Sequence, residues 1–271
     1  GQVNDATYVQ GQFVNNMNFK DEASSNTTMA QIYVNHNFNK NVAVRLGRQP
    51  IAFGNQGGWL YNGLEGYDGA QASYNNGKLS LTTGFGQLNA SVFTDDTDPD
   101  GNVISYGVTG TDMYFAKGAY DFGFAKLGAD YVKFQGDTNS TDHYVAGDEL
   151  YGINLNIPVQ KFNVFGEYWK NTNAADKYDT AWNAGLSYGK AYWKKAGTWD
   201  LSVAYNDVDY NVYFGGGTWH NDMLKNFTAG YLNAYNLTFW TAIANVTLQK
   251  NVQLHAEYAF AADAEKSNNG A

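Results

Sequence analysis

A chain of 271 residues can form two ordinary domains or one large all-β domain. A net charge of −9 with no basic cluster excludes a nucleic-acid partner, and the lack of cysteine excludes disulfides, thiolate metal sites and thiol nucleophiles. Apolar residues make up 44% of the chain, yet the mean hydropathy is −0.47, so apolar and polar residues must be interleaved. Interleaving at period two marks strands with one apolar and one polar face. No apolar run approaches the roughly 18 residues of a membrane-spanning helix. Spanning by strands stays open, because their lipid signal falls only on every second residue.

In chain order, Gly1–Asp5 reads as the end of a strand and a turn, and Thr7–Phe19 as the first full strand. Ala30–Phe38 and Val42–Arg48 alternate on either side of Asn39-Lys40-Asn41. A glycine-rich loop, Gln49–Gly66, leads to Tyr67–Tyr74, and Asn75-Asn76-Gly77 is a strong hairpin signal before Leu79–Phe85. Gln87–Asp112 reads as a long loop with an acidic run, followed by a hairpin, Met113–Phe134, that turns at Asp121-Phe122-Gly123. Tyr151–Ile157, Phe162–Trp169, Trp182–Tyr188 and Trp199–Asn206 alternate cleanly. After the loop Asp207–Tyr235, a last hairpin joins Asn236–Leu248 to Val252–Tyr258, and the polar tail from Ala261 reads as non-strand.

Thirteen strands result, with short and long connections in alternation. Aromatics form 16% of the chain, and many stand at or near strand ends on the apolar faces: Phe19, Phe38, Tyr74, Tyr120, Phe162, Tyr168, Trp199, Tyr205 and Phe260. Aromatic girdles at two membrane interfaces produce that placement. The predicted fold class is an all-β transmembrane antiparallel β-barrel, a single domain over residues 1–271, with lipid outside and water inside. Bacterial single-chain barrels are even-numbered. The expected size is sixteen, with terminal strands missing from this sequence; the alternative is fourteen, counted from Thr7–Phe19.

The stretch Ala30–Arg48 with Pro50-Ile51-Ala52-Phe53-Gly54 and Gly57-Gly58 resembles the general porins of Gram-negative outer membranes, where it leads into an inward-folding third loop. Val44-Arg45-Leu46-Gly47-Arg48, answered by Tyr67-Asp68-Gly69-Ala70-Gln71, is similar to the porins of Negativicutes-type bacteria that carry an S-layer homology domain. The resemblance implies a water-filled channel for passive diffusion of small hydrophilic solutes and ions, narrowed by loop 49–66. It also implies a homotrimer in outer-membrane lipid, and a link to the cell wall through a domain outside this sequence. A structural or adhesive barrel with a plugged pore is the alternative.

Arg45 and Arg48 are the only arginines and flank this loop. With Glu65 and Asp68 they are the expected constriction charges, Arg45 projecting into the lumen and Arg48 having the opposite parity. Lys126, Asp130, Glu167, Asp200, His255 and Glu257 fall on polar faces and are expected to line the pore, where each can also be an ordinary solvated wall residue. Asp96, Asp98 and Asp100 begin a calcium-loop pattern in a surface loop, but its twelfth position is Gly107 where the pattern needs glutamate. His36, His143, His220 and His255 are scattered, and no nucleophile stands out, so no enzyme activity is expected.

Overall fold

The computed structural model describes residues 1–17, 25–54, 58–88, 96–97, 103–104, 111–135, 147–174, 177–212 and 234–266. Its strands are β1 (Gln2–Asn4), β2 (Thr7–Met17), β3 (Ser25–Asn37), β4 (Val42–Phe53), β5 (Tyr61–Asn75), β6 (Leu79–Leu88), β7 (Asp96–Thr97) and β8 (Val103–Ile104). They continue as β9 (Asp112–Asp121), β10 (Lys126–Gln135), β11 (Glu149–Val159), β12 (Phe162–Asn171), β13 (Thr180–Gly189), β14 (Trp199–Asp209), β15 (Ala234–Gln249) and β16 (Val252–Lys266). Among the described residues all but β7 and β8, which pair with each other, join one antiparallel fourteen-stranded meander in chain order. Fourteen is the smaller of the two expected sizes, reached with Gln2–Asn4 as first strand: the Gly1 carbonyl accepts from Val9 N at 2.8 Å and fixes that segment beside β2. Among the described residues β1 and β16 do not pair, and the sheet is open between them.

Short turns are set by asparagine and aspartate. Asn39 Oδ1 accepts from the amides of Asn41 and Val42, and Asn76 Oδ1 from Lys78 and Leu79, at 2.8–3.0 Å. Asp121 Oδ1 does the same for Gly123 at 2.7 Å. These side chains hold the tight turn locally, so the register of each hairpin follows from its turn.

The face of the sheet away from the β4–β5 hairpin is apolar and exposed, with Val34, Leu46, Leu127, Ile153, Val164 and Leu186 among its residues. Two aromatic belts bound it. At the short turns lie Tyr120 and Phe122, 4.7 Å between ring centroids, and Phe162, Tyr188 and Trp199. Toward the long loops Trp182, Tyr205, Trp240 and Phe260 follow one another at 5.3–6.4 Å. Beyond this second belt the faces exchange character. Lys133, Glu149 and Lys170 take the outer face, while Val132, Phe134, Leu150, Val208, Leu237 and Phe239 take the inner one and are fully buried.

The buried cluster is completed by a hairpin that the sequence reads as a loop. Gln49–Gly66 is mostly paired: Gln49 stands opposite Tyr67, but the next partners are Ile51 with Gly63 and Phe53 with Tyr61. This bulge at Pro50 and Gly66 bends both strands out of the sheet. Proline cannot donate to the ladder, and Gly66, at φ +47°, has its Cα too close to the Gln49 carbonyl for any Cβ. β4 runs on to Phe53 and β5 starts at Tyr61, and β16 likewise runs on to Lys266, through a bulge at Ala261 (φ 50°), where the sequence suggests a non-strand tail.

Candidate functional site

The bent hairpin crosses the inner face and is held by the opposite wall. At its tip Trp59 Nε1 donates to Asn206 Oδ1 on β14 at 2.9 Å, and Asn206 Nδ2 is fixed by Phe239 O (3.3 Å) and Thr241 Oγ1 (3.2 Å). Lys117 Nζ on β9 donates to Ala52 O, and Gly54 N donates to Asp130 Oδ2 on β10 at 3.4 Å. Glu167 on β12 accepts from Trp169 Nε1 (2.9 Å) and Asn183 Nδ2 (3.1 Å) and lies so close to Gly54 that a Cβ there would strike its carboxylate. Phe53 is wedged against Phe115 and Trp169 with centroids 6.0 and 6.3 Å apart. The side chains around the tip are buried, so each polar atom needs its partner, and leaving one unmade costs about 1–3 kcal/mol.

The expected constriction charges separate onto two faces. Arg45, between Asn35 and Gln71 in the ladder, shares the inner parity; its guanidinium lies 4.4 Å over the Tyr33 ring. Its buried Nε has no hydrogen-bond partner, and among the described residues no carboxylate is within ion-pair reach. Asp68 does not oppose it. Asp68 and Arg48 are direct ladder partners of the other parity, joined by two 2.8 Å hydrogen bonds on the outer face, so this pair is not a lumenal constriction. Arg48 also donates to Met29 O at 3.3 Å. Glu65 lies on β5, and its side chain is outside the described residues.

Asp130 and Glu167 are buried on the inner face as hairpin anchors, and Lys126 lies on the same face nearer the short turns. Asp200 accepts from Ala191 N (2.8 Å) and Asn245 Nδ2 (2.7 Å). The ring of His255 stands between Asn245 Oδ1 and Glu257 Oε1, each at 2.7 Å, extending that chain of contacts to the last strand. At the rim preceding β11, desolvation pushes Asp148 up to about 6, against a hydrogen bond from Asn171 that lowers it. Of the calcium pattern, Asp98 and Asp100 lie outside the described residues, as does the side chain of Asp96; among the described residues no three potential ligands cluster around a metal position.

Sequence reasoning missed Lys117, Trp59, Asn206 and Trp169. Lys117 and Asn206 have polar-face parity, which is a usable signal. Trp59 sits in a glycine-rich stretch with no periodicity, and Trp169 shares the polar-face parity of Asn163 and Glu167, which likewise signals its inward direction.

An antiparallel meander with one belted apolar face, tight turns on one rim and a hairpin folded into its lumen is a transmembrane β-barrel architecture of porin type. Its backbone is similar to that of Salmonella typhi OmpF in complex with daunomycin, with TM-score 0.55 and 13% identity over 98% of this chain and 81% of that one. That likeness establishes the fold. Pseudomonas aeruginosa OccK2 in complex with glucuronate aligns at TM-score 0.46, with 13% identity over 94% of this chain and 79% of that one. The outer membrane channel DcaP of Acinetobacter baumannii aligns at TM-score 0.47, with 15% identity over 95% and 75%. No protein-family model matches the sequence, and neither does any curated protein.

Proposed function

We propose that this chain is an outer-membrane channel of porin type, passing small hydrophilic solutes and ions by diffusion through a lumen narrowed by the β4–β5 hairpin. The observation that carries this reading is the hairpin itself, bent at Pro50 and Gly66 and anchored on Lys117, Asp130 and Asn206 above a polar inner face. Arg45 is the proposed lumenal cation beside it, and Lys126, Asp130, Glu167, Asp200, His255 and Glu257 tune the ions admitted. Fixed charges along a narrow aqueous path set selectivity. A homotrimer in outer-membrane lipid, a finer kinship with S-layer-homology porins and a calcium tie at Asp96, Asp98 and Asp100 are extensions of the same reading. The kinship rests on Val44–Arg48 and Tyr67–Gln71.

A plugged barrel with a structural or adhesive role is the second reading. It is favoured by the apolar cluster of Phe53, Trp59, Leu60, Phe134, Trp169 and Phe239, which packs the lumen like a protein core. Single-channel recording in planar bilayers separates the two. Steady conductance whose ion preference changes in Arg45→Ala is expected; a folded, inserted protein with no conductance would sink the channel.

A further inference from the structure

Below the hairpin, toward the short turns, a cavity of about 240 Å³ opens between Gly54 and the inner faces of β6, β9, β10 and β11. Its lining brings together Ser80, Thr82, Lys117, Lys126, Asn154 and Asn156, with Asp130 as its one carboxylate. Lys117 stands opposite Asp130 in the ladder, so Lys126 is the cation with no carboxylate of the cavity paired to it. Asp130 accepts from Gly54 N, and the nearby Glu167 accepts from Trp169 and Asn183; both carboxylates also act electrostatically on Lys117.

Lys126 is the less committed of the two ammonium groups. Lys117 spends one donor on Ala52 O and rests 5.2 Å from the Phe53 ring centroid, while Lys126 makes no hydrogen bond or ion pair with the described residues. An ammonium carries three donors. In a confined site of lowered dielectric, charge-assisted hydrogen bonds to an oxyanion are stronger than in bulk water. Hydroxyl and amide groups beside the lysines suit the remaining oxygens of a small hydroxylated solute.

We infer that this cavity is a binding site for a small oxyanion, a solute bearing a carboxylate or phosphate group, held between Lys126 and Lys117 with Thr82 and Ser80 beside them. The inference deepens the channel reading, since such a solute reaches the cavity through the lumen, and it adds an anion preference in a chain whose net charge is −9.

The test is calorimetric titration of the intact protein in detergent micelles with inorganic phosphate, lactate and, as a neutral control, glycerol. Saturable binding of phosphate, lactate or both is expected, with none of glycerol; whichever anion binds identifies the favoured group. Lys126→Gln should weaken binding about tenfold or more, the loss of one charge-assisted contact, and Thr82→Val by a few-fold. Circular dichroism checks that each variant is folded. No saturable anion binding, equal binding of glycerol, or unchanged affinity in Lys126→Gln overturns the site. Conductance without anion binding removes the site and leaves the channel; anion binding without conductance removes the channel and leaves the site.

Discussion

The two halves of the inner face are built on the same strands and obey different rules. Toward the long loops β10 presents Val132 and Phe134, β11 Leu150 and β15 Leu237 and Phe239, all buried with the hairpin. Toward the short turns the same strands present Lys126, Asn154, Asn156 and Asn245. The outer face changes in the opposite sense, from Leu127 and Ile153 to Lys133 and Glu149. A strand surrounded by lipid can keep its interior wet. Once it emerges into water it is governed by the ordinary rule of apolar inside and polar outside. The hairpin sits where the rule changes, using apolar packing above and polar latches at its tip.

Breaking the packed half should have the largest effect. Phe53→Ala removes a fully buried ring between Phe115 and Trp169 and should cost about 3–5 kcal/mol in urea unfolding of the protein in micelles. Asn154→Ala, in the wet half, should stay within roughly 0.5–1 kcal/mol. Equal losses would mean that the two halves are not energetically distinct.

A smaller effect concerns pH. The folded state holds the Asp148 proton up to about 6, above the usual 3.8. Between those values the folded chain binds more protons than the unfolded one, so its contribution to stability is present at low pH and lost as pH rises through about 6. Asp148→Asn should flatten this decline in thermal unfolding measured from pH 4 to 7, and a variant that keeps the same slope would remove Asp148 as its source. The smallest effect belongs to the outer-face ion pair. Arg48→Ala should cost no more than about 1 kcal/mol and leave conductance unchanged; a changed conductance would place Arg48 in the ion path.

The contrast also explains what could be read from the residues. The strands from β9 to β14 were legible because their alternation runs between turn-forming asparagines, aspartates and glycines, and nothing competes with it. Arg45 and Arg48 could be assigned to opposite faces by parity alone. The hairpin could not be read. Ile51 and Phe53 continue the period of two past Pro50, but this short run is followed by a glycine-rich stretch and then the continuous apolar Trp59–Tyr61, and these side chains pack against the barrel wall instead of lipid. The exchange of faces was also hidden, since Val132 and Phe134 continue the parity of Lys126 and Asp130 and differ only in chemistry. Asp68 pairs with Arg48 and not with Arg45 because ladder register sets the partner, and sequence spacing does not give that register.

The bond from Trp59 to Asn206 spans 147 positions of chain. The hairpin itself forms locally, Phe53 pairing with Tyr61, but its receptor on β14 and β15 arrives only after most of the meander exists. Until then Phe53 can meet Phe115 and Trp169, but Trp59 lacks its partner. Assembly must therefore curl the sheet around an already formed hairpin, and closing so long a loop is the kind of step that makes non-local β-topologies slow. The seat of the hairpin on β14 and β15 is therefore among the last parts of the molecule to form.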